Sequence, residues 1–210
     1  DLEHLRDTLW RLIADFHASI LPALRSKLVR RDLSLGRPLE PQVGNLVKIV
    51  TGIRRCGKTF RLYQEICRLV DDGVPAERIC YFNFDDDRLR PYPPNLIDQV
   101  VETFFEMRPS ARREGAYLFF DEIQDVPGWD VVARRLVDTE KVAMYCTGSS
   151  SRLFADDIAT EFRGRSVTYE LLPYGFAEFT RSLGADLTVG ASLESKEATS
   201  WARSTFSQYL

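Results

Sequence analysis

Apolar side chains at Leu2, Leu5, Leu9, Leu12, Ile13, Phe16 and Ile20 recur every three or four residues. That spacing predicts an amphipathic helix, stopped before Pro22, within an N-terminal extension over residues 1–30. The pattern then changes to short apolar runs separated by helical ones. Val47–Thr51, Ile79–Phe84, Tyr117–Phe120, Val142–Thr147 and Ser166–Leu171 read as strands. Leu62, Ile66, Leu69 and Val70 mark one face of a helix ended by Gly73. Leu96–Met107, Trp129–Val137, Phe176–Leu183 and Glu197–Leu210 read as further helices, and Gly184–Ser195 as a Gly/Ser-rich linker.

Strands that are apolar on both faces belong inside a parallel sheet covered by helices. Strand and helix alternate through the middle of the chain, which predicts an α/β layered fold with right-handed crossovers. Three parts follow: an extension over 1–30, a core over 31–183, and a linker with the start of a helical region over 184–210.

Composition narrows the function classes more than the fold. The 210 residues are 44% hydrophobic and 28% charged, with a net charge of −3, which gives no support to a broadly basic nucleic-acid surface. No apolar run approaches the ~18 residues of a membrane helix. Cys56, Cys67, Cys80 and Cys146 show no C-x-x-C pairing, and with only His4 and His17 beside them a zinc site is not expected. Scattered cysteines suit a reducing cytoplasm. Arg25, Lys27, Arg30, Arg31 and Arg37 form a basic stretch read as a solvated face, with a phosphate contact as the alternative.

Gly52-Ile53-Arg54-Arg55-Cys56-Gly57-Lys58-Thr59 fits the phosphate-loop pattern G-x-x-x-x-G-K-[ST] without a mismatch, and Phe60 follows in the helix. A strand precedes the loop and a helix follows it, as the chemistry requires. Successive N–H groups form an anion nest, and the helix start adds partial positive charge. Lys58 brings a point charge to the β- and γ-phosphates, and the Thr59 hydroxyl is a Mg²⁺ ligand. Arg54 and Arg55 are not demanded by the motif and read as solvent-facing or paired with acidic neighbours. Cys56 reads as filler.

Tyr117–Phe120 delivers Asp121 and Glu122 to a strand end, the Walker B arrangement. Asp121 is the second expected metal ligand, acting through the ion's water shell. Glu122 stands where a general base would polarise water, which points to hydrolysis rather than transfer to a small acceptor. The next strand ends in Thr147, Gly148, Ser149, Ser150 and Ser151. Ser149 is the chosen γ-phosphate sensor, with Thr147 and Ser150 as rivals and helix capping by Ser149 or Ser151 as the plain alternative. Arg163 and Arg165, before the last strand, read as arginines for γ-phosphate charge, in cis or in a neighbour's site, with Arg152 as a further candidate. Surface pairing with nearby acids is their alternative. Asp85-Asp86-Asp87 is expected on the sheet flank away from the loop.

The blocks TGIRRCGKT, YFNFDDDRL, YLFFDEIQDVPGW, TGSSSRLFADDIATEFRGRS and LLPYGFAEF together resemble one family. It is the prokaryotic AAA-type ATP-binding domain of proteins that carry a second, C-terminal domain of unknown function. The resemblance runs from Arg31 to about Phe179, and Arg31-Asp32 matches the family's opening RRD. It implies a P-loop NTPase three-layer sandwich of about five strands in the order 5-1-4-3-2, with ATP as ligand. It also implies that Trp201–Leu210 leads into a domain absent from this sequence. Phe60 departs from the commoner Thr or Ser.

Three functions fit. The first is a Mg²⁺-dependent ATPase coupling hydrolysis to movement of an attached C-terminal domain. The second is a nucleotide-operated switch or scaffold with negligible turnover. The third, a small-molecule kinase, is disfavoured by Glu122. No [NT]-K-x-D guanine-reading motif occurs, so ATP is preferred to GTP. The partners implied are ATP, the C-terminal domain, and a second copy of the chain if an arginine acts in trans.

Overall fold

A computed structural model describes residues 2–184 and 196–210. The expected linker therefore lies, from residue 185, outside the described residues. Five strands form one sheet: β1 (Val47–Gly52), β2 (Ile79–Asn83), β3 (Ala116–Asp121), β4 (Val142–Ser149) and β5 (Ser166–Glu170). Their order is β2-β3-β4-β1-β5, and every neighbouring pair is parallel. This is the P-loop NTPase α/β fold in the order that the family resemblance implies. Each crossover is helical: α3 (Lys58–Asp71) follows β1, α4 (Leu96–Met107) and α5 (Pro109–Glu114) follow β2, α6 (Trp129–Thr139) follows β3, and α7 (Arg152–Phe162) follows β4.

Side-chain alternation builds two cores, one on each face. Ile49, Leu118, Phe120 and Met144 pack against α4 and α6. Val50, Phe119 and Tyr145 pack on the face that α3 covers with Leu62 and Ile66. All six residues of β3 are buried, so its acidic end emerges from a fully apolar strand.

The N-terminal helix does not stop before Pro22. α1 (Leu2–Asp15) widens into a π-helical turn over Phe16–Ile20 and continues as α2 (Leu21–Lys27). Pro22 is the second residue of α2, directly after the wide turn. The wide turn shifts the buried stripe between the two cores. Leu9 and Ile13 join one, and Phe16 and Leu24 join the other. Nε2 of His17 lies 2.9 Å from the carbonyl of Ile79, so the extension lies against the edge strand β2.

Residues 28–39 form a strap over α3 and β1, with its carbonyls held by cations. Arg61 Nε donates to Leu33 O at 2.8 Å, Lys48 Nζ to Leu35 O and to Arg37 O, and Arg68 Nη2 to Gly36 O at 3.1 Å. The basic stretch is therefore only partly a solvated face. Arg25, Lys27, Arg30 and Arg37 are exposed, whereas Arg31 is buried. Beyond β5, α8 (Phe176–Ser182) packs Phe176 and Phe179 against Phe206 and Tyr209 of α9 (Lys196–Tyr209).

Candidate functional site

Parallel strands put their C-terminal ends on one side of the sheet, and the loop from Ile53 to Gly57 crosses that side. Gly52 closes β1 under tight constraint. A Cβ there would lie 2.5 Å from Cys56 Sγ and 2.6 Å from Leu171 O. Cys56 is thus buried packing beneath the loop. Gly57 takes φ +96 at the start of α3, a conformation that side chains disfavour. The first N–H groups of α3 have no partner within the helix and face outward from its start. Ile53, Arg54 and Arg55 are exposed on the loop, and Phe60 is exposed in the first turn of α3. Lys58 is not. Its Nζ is buried and donates to Gly52 O and Ile53 O, both at 3.1 Å, and pairs with Glu122 Oε1 at 3.2 Å.

Asp121 is fully buried and accepts three hydroxyls. Thr147 Oγ1 donates to Oδ1 at 2.5 Å, while Thr59 Oγ1 and Tyr81 OH donate to Oδ2 at 2.6 and 2.7 Å. Burial pushes its carboxyl above the usual range, and the three hydroxyls oppose that shift. Thr147 Oγ1 also accepts the Glu122 N–H at 2.9 Å, so one side chain ties both acids together. Glu122 adopts left-handed backbone, φ 52, and its carboxylate is held by Lys58 and by Gln124 Nε2 at 3.0 Å. A cation, two carboxylates and a threonine hydroxyl therefore meet at one helix start. Thr59 and Asp121 offer two hard oxygens in contact, a donor set suited to Mg²⁺ that keeps most of its water. Among the described residues, no group of three or more His, Cys, Asp or Glu could hold a metal.

The sequence profile of a family described as "AAA domain" matches residues 44–180. The chain belongs to this AAA domain family. Membership makes it a P-loop, nucleotide-binding ATPase domain in general terms. An uncharacterized protein of Methanocaldococcus jannaschii is 34% identical over 159 residues, which are 76% of this chain and 32% of that protein. Another, from Haemophilus influenzae, is 27% identical over 159 residues, 76% of this chain and 39% of its own length. The chain thus spans about a third of the length of these relatives. The solved structure of the Aeropyrum pernix ORC1 protein in complex with DNA aligns with a TM-score of 0.45 at 19% identity, over 87% of this chain and 49% of that one.

The AAA domain brings together Gly52–Thr59, Asp121, Glu122 and Ser149. In the β1–β4 pairing Ser149 lies opposite Gly52, at the loop end of the sheet. With Ser150 it lines a 460 Å³ cleft beside Thr51, Phe154, Thr168 and Glu170. Thr147, its rival, makes the direct contacts to the acids, and Ser151 Oγ caps α7 by accepting Phe154 N–H at 3.2 Å.

Arg163 and Arg165 are elsewhere. They precede β5, whose first residue lies beside Val47 at the N-terminal end of β1. The phosphate loop is at the other end, roughly 17 Å away at ~3.3 Å per strand residue. Arg165 pairs with Asp138 at 2.6 Å, and exposed Arg163 donates from Nε to Thr160 O at 3.3 Å. A cis role at the γ-phosphate is therefore excluded for both, because parallel strands start where the loop is not. Arg152 is exposed, 3.9 Å from Asp156.

The acidic run is nearer the loop than expected. β2 is separated from β1 by two strands, yet Arg54 reaches across to Asp85 at 3.5 Å, and Arg90 holds Asp85 at 2.9 Å. The reach of an arginine covers the gap that strand order leaves. Tyr81 went unrecognised from sequence. Its ring reads as core, and only the β2–β3 register puts its hydroxyl on Asp121.

Proposed function

We propose that this domain binds ATP with Mg²⁺ and hydrolyses it, coupling binding and hydrolysis to movement of an attached C-terminal domain, in the cytoplasm. The observation that carries this is the junction of Thr59 with Asp121 at 2.6 Å and of Lys58 with Glu122 at 3.2 Å. The loop amides and Lys58 bind the phosphates, and Thr59 and Asp121 hold the metal. When bound, Mg²⁺ neutralises charge on the phosphate oxygens. Glu122 accepts a proton from water as its oxygen bonds the γ-phosphorus and the bond to the ADP oxygen breaks. The absence of a guanine-reading motif favours ATP, and the exposed Arg163 favours a second copy of the chain as partner.

Turnover by the full-length protein, with and without Mg²⁺, tests the reading. Glu122→Gln is expected to keep ATP binding and lose at least about 100-fold in turnover, within the range of general-base contributions. Wild-type turnover in that variant would remove Glu122 from the chemistry.

A switch with negligible turnover is the second reading. The Lys58–Glu122 contact favours it, because the ion pair occupies an oxygen that a general base would offer to water. Stoichiometric ATP binding without phosphate release would select it.

A further inference from the structure

Arg31 lies in the strap that crosses α3, and no part of the chemistry above uses this residue. Its side chain is 2% exposed, and its donors go to three elements. Nε donates to Glu178 Oε1 of α8 at 2.8 Å, Nη2 to Leu172 O after β5 at 2.6 Å, and Nη1 to Cys56 O in the phosphate loop. The guanidinium also lies 4.7 Å from the centre of the Tyr174 ring. Glu178 is fixed in turn. Its Oε1 accepts the Asp32 N–H and its Oε2 the Gly175 N–H, both at 2.9 Å.

The contact with Cys56 O has a geometric consequence. In a trans peptide the C=O and the following N–H point in opposite directions. A guanidinium holding the Cys56 carbonyl on the rear side of the loop therefore turns the Gly57 N–H to the front, where phosphate oxygens bind. The approach is close, since a Cβ on Gly57 would lie 2.7 Å from Arg31 Nη1. Gly57 thus accommodates the guanidinium as well as the left-handed turn. A buried ion pair is weak evidence for stability, because desolvation offsets the attraction. It does fix direction, and a planar fork fixes several directions at once where an ammonium does not.

We propose that Arg31 is a positioning residue for the phosphate loop. It orients the Cys56–Gly57 peptide toward the phosphates, with Glu178 holding the guanidinium in place. The segment after β5 thereby becomes part of the machinery that sets nucleotide affinity. This rests on the ATP-binding reading given above.

The test uses the full-length protein and its Arg31→Lys, Arg31→Ala and Glu178→Gln variants. Affinity for a fluorescent ATP analogue, and its competition by inorganic tripolyphosphate, is measured well below each melting temperature. Arg31→Lys is expected to weaken both ligands by the same factor, about 10- to 100-fold, the worth of one charge-assisted hydrogen bond. Glu178→Gln is expected to weaken both by less. Methylguanidinium is expected to restore affinity to Arg31→Ala. If that variant does not fold, Arg31→Lys and Glu178→Gln decide. Wild-type affinity in both, with only a lower melting temperature, would make Arg31 a structural residue and overturn the proposal. Failure of the unsubstituted protein to bind ATP would instead remove the reading beneath it.

Discussion

Asp121 shows how much of a site one residue can gather. The apolar run ending in Asp121-Glu122 was legible in the sequence, as was Thr59 of the phosphate loop, because both motifs are contiguous. The hydroxyls of Tyr81 and Thr147 were not assigned to Asp121, because strand register puts them there. Arg31 and Glu178 are 147 residues apart, and no periodicity links them. Thr147→Val keeps the shape of the side chain but removes a donor from Asp121 and an acceptor from the Glu122 N–H. Buried groups left without partners cost roughly 1–3 kcal/mol each. Unfolding free energy is expected to fall by about that amount, and ATP turnover by at least about tenfold, with ATP affinity little changed. Unaltered turnover would leave Thr147 outside the catalytic arrangement.

At the level of elements, the strands and the crossover helices α3, α4 and α6 followed from apolar periodicity, whereas α7 and the short α5 did not. Six residues that include two adjacent arginines give no repeating apolar face to read. The N-terminal extension was legible as an amphipathic packing helix, but not its passage from one core to the other. Leu9, Ile13, Phe16 and Leu24 are buried, and fully burying such side chains contributes about 1.5–3 kcal/mol each. That sum rivals the ~5–15 kcal/mol that holds a typical domain folded. Removing residues 2–27 should therefore abolish cooperative thermal unfolding; a truncated chain that melts at the full chain's temperature would show the extension to be an appendage. The contact of His17 with β2 adds a pH dependence. Burial lowers the imidazole pKa below 6.5, while the bond to Ile79 O opposes the shift. The folded state thus keeps His17 neutral after the unfolded chain has taken up a proton. Its contribution is complete above about pH 6.5 and declines as pH falls toward the lowered folded value. The melting-temperature gap between the wild type and His17→Gln should accordingly narrow from pH 8 to pH 5. Parallel curves would show that His17 does not titrate in this way.

For the molecule as a whole, the all-parallel sheet separates two functions that sequence order seemed to bring together. The phosphate loop and the acids occupy the C-terminal ends of the strands, and Arg163 and Arg165 sit by the N-terminal ends. If Arg163 serves a γ-phosphate, that phosphate belongs to another copy. Mixing Arg163→Ala with Lys58→Ala should restore activity that neither chain has alone, because each supplies the part the other lacks. Specific activity of the wild type should also rise with protein concentration. A dead mixture together with concentration-independent turnover would rule out the shared site. The separation also constrains symmetry. If Arg163 serves a neighbour, a two-fold pair meets both needs only by lying antiparallel, with each arginine end against the partner's loop end. Copies that all point the same way would instead follow one another head to tail. An open row of that kind leaves its terminal member with a loop and no arginine, whereas an antiparallel pair or a closed ring leaves none.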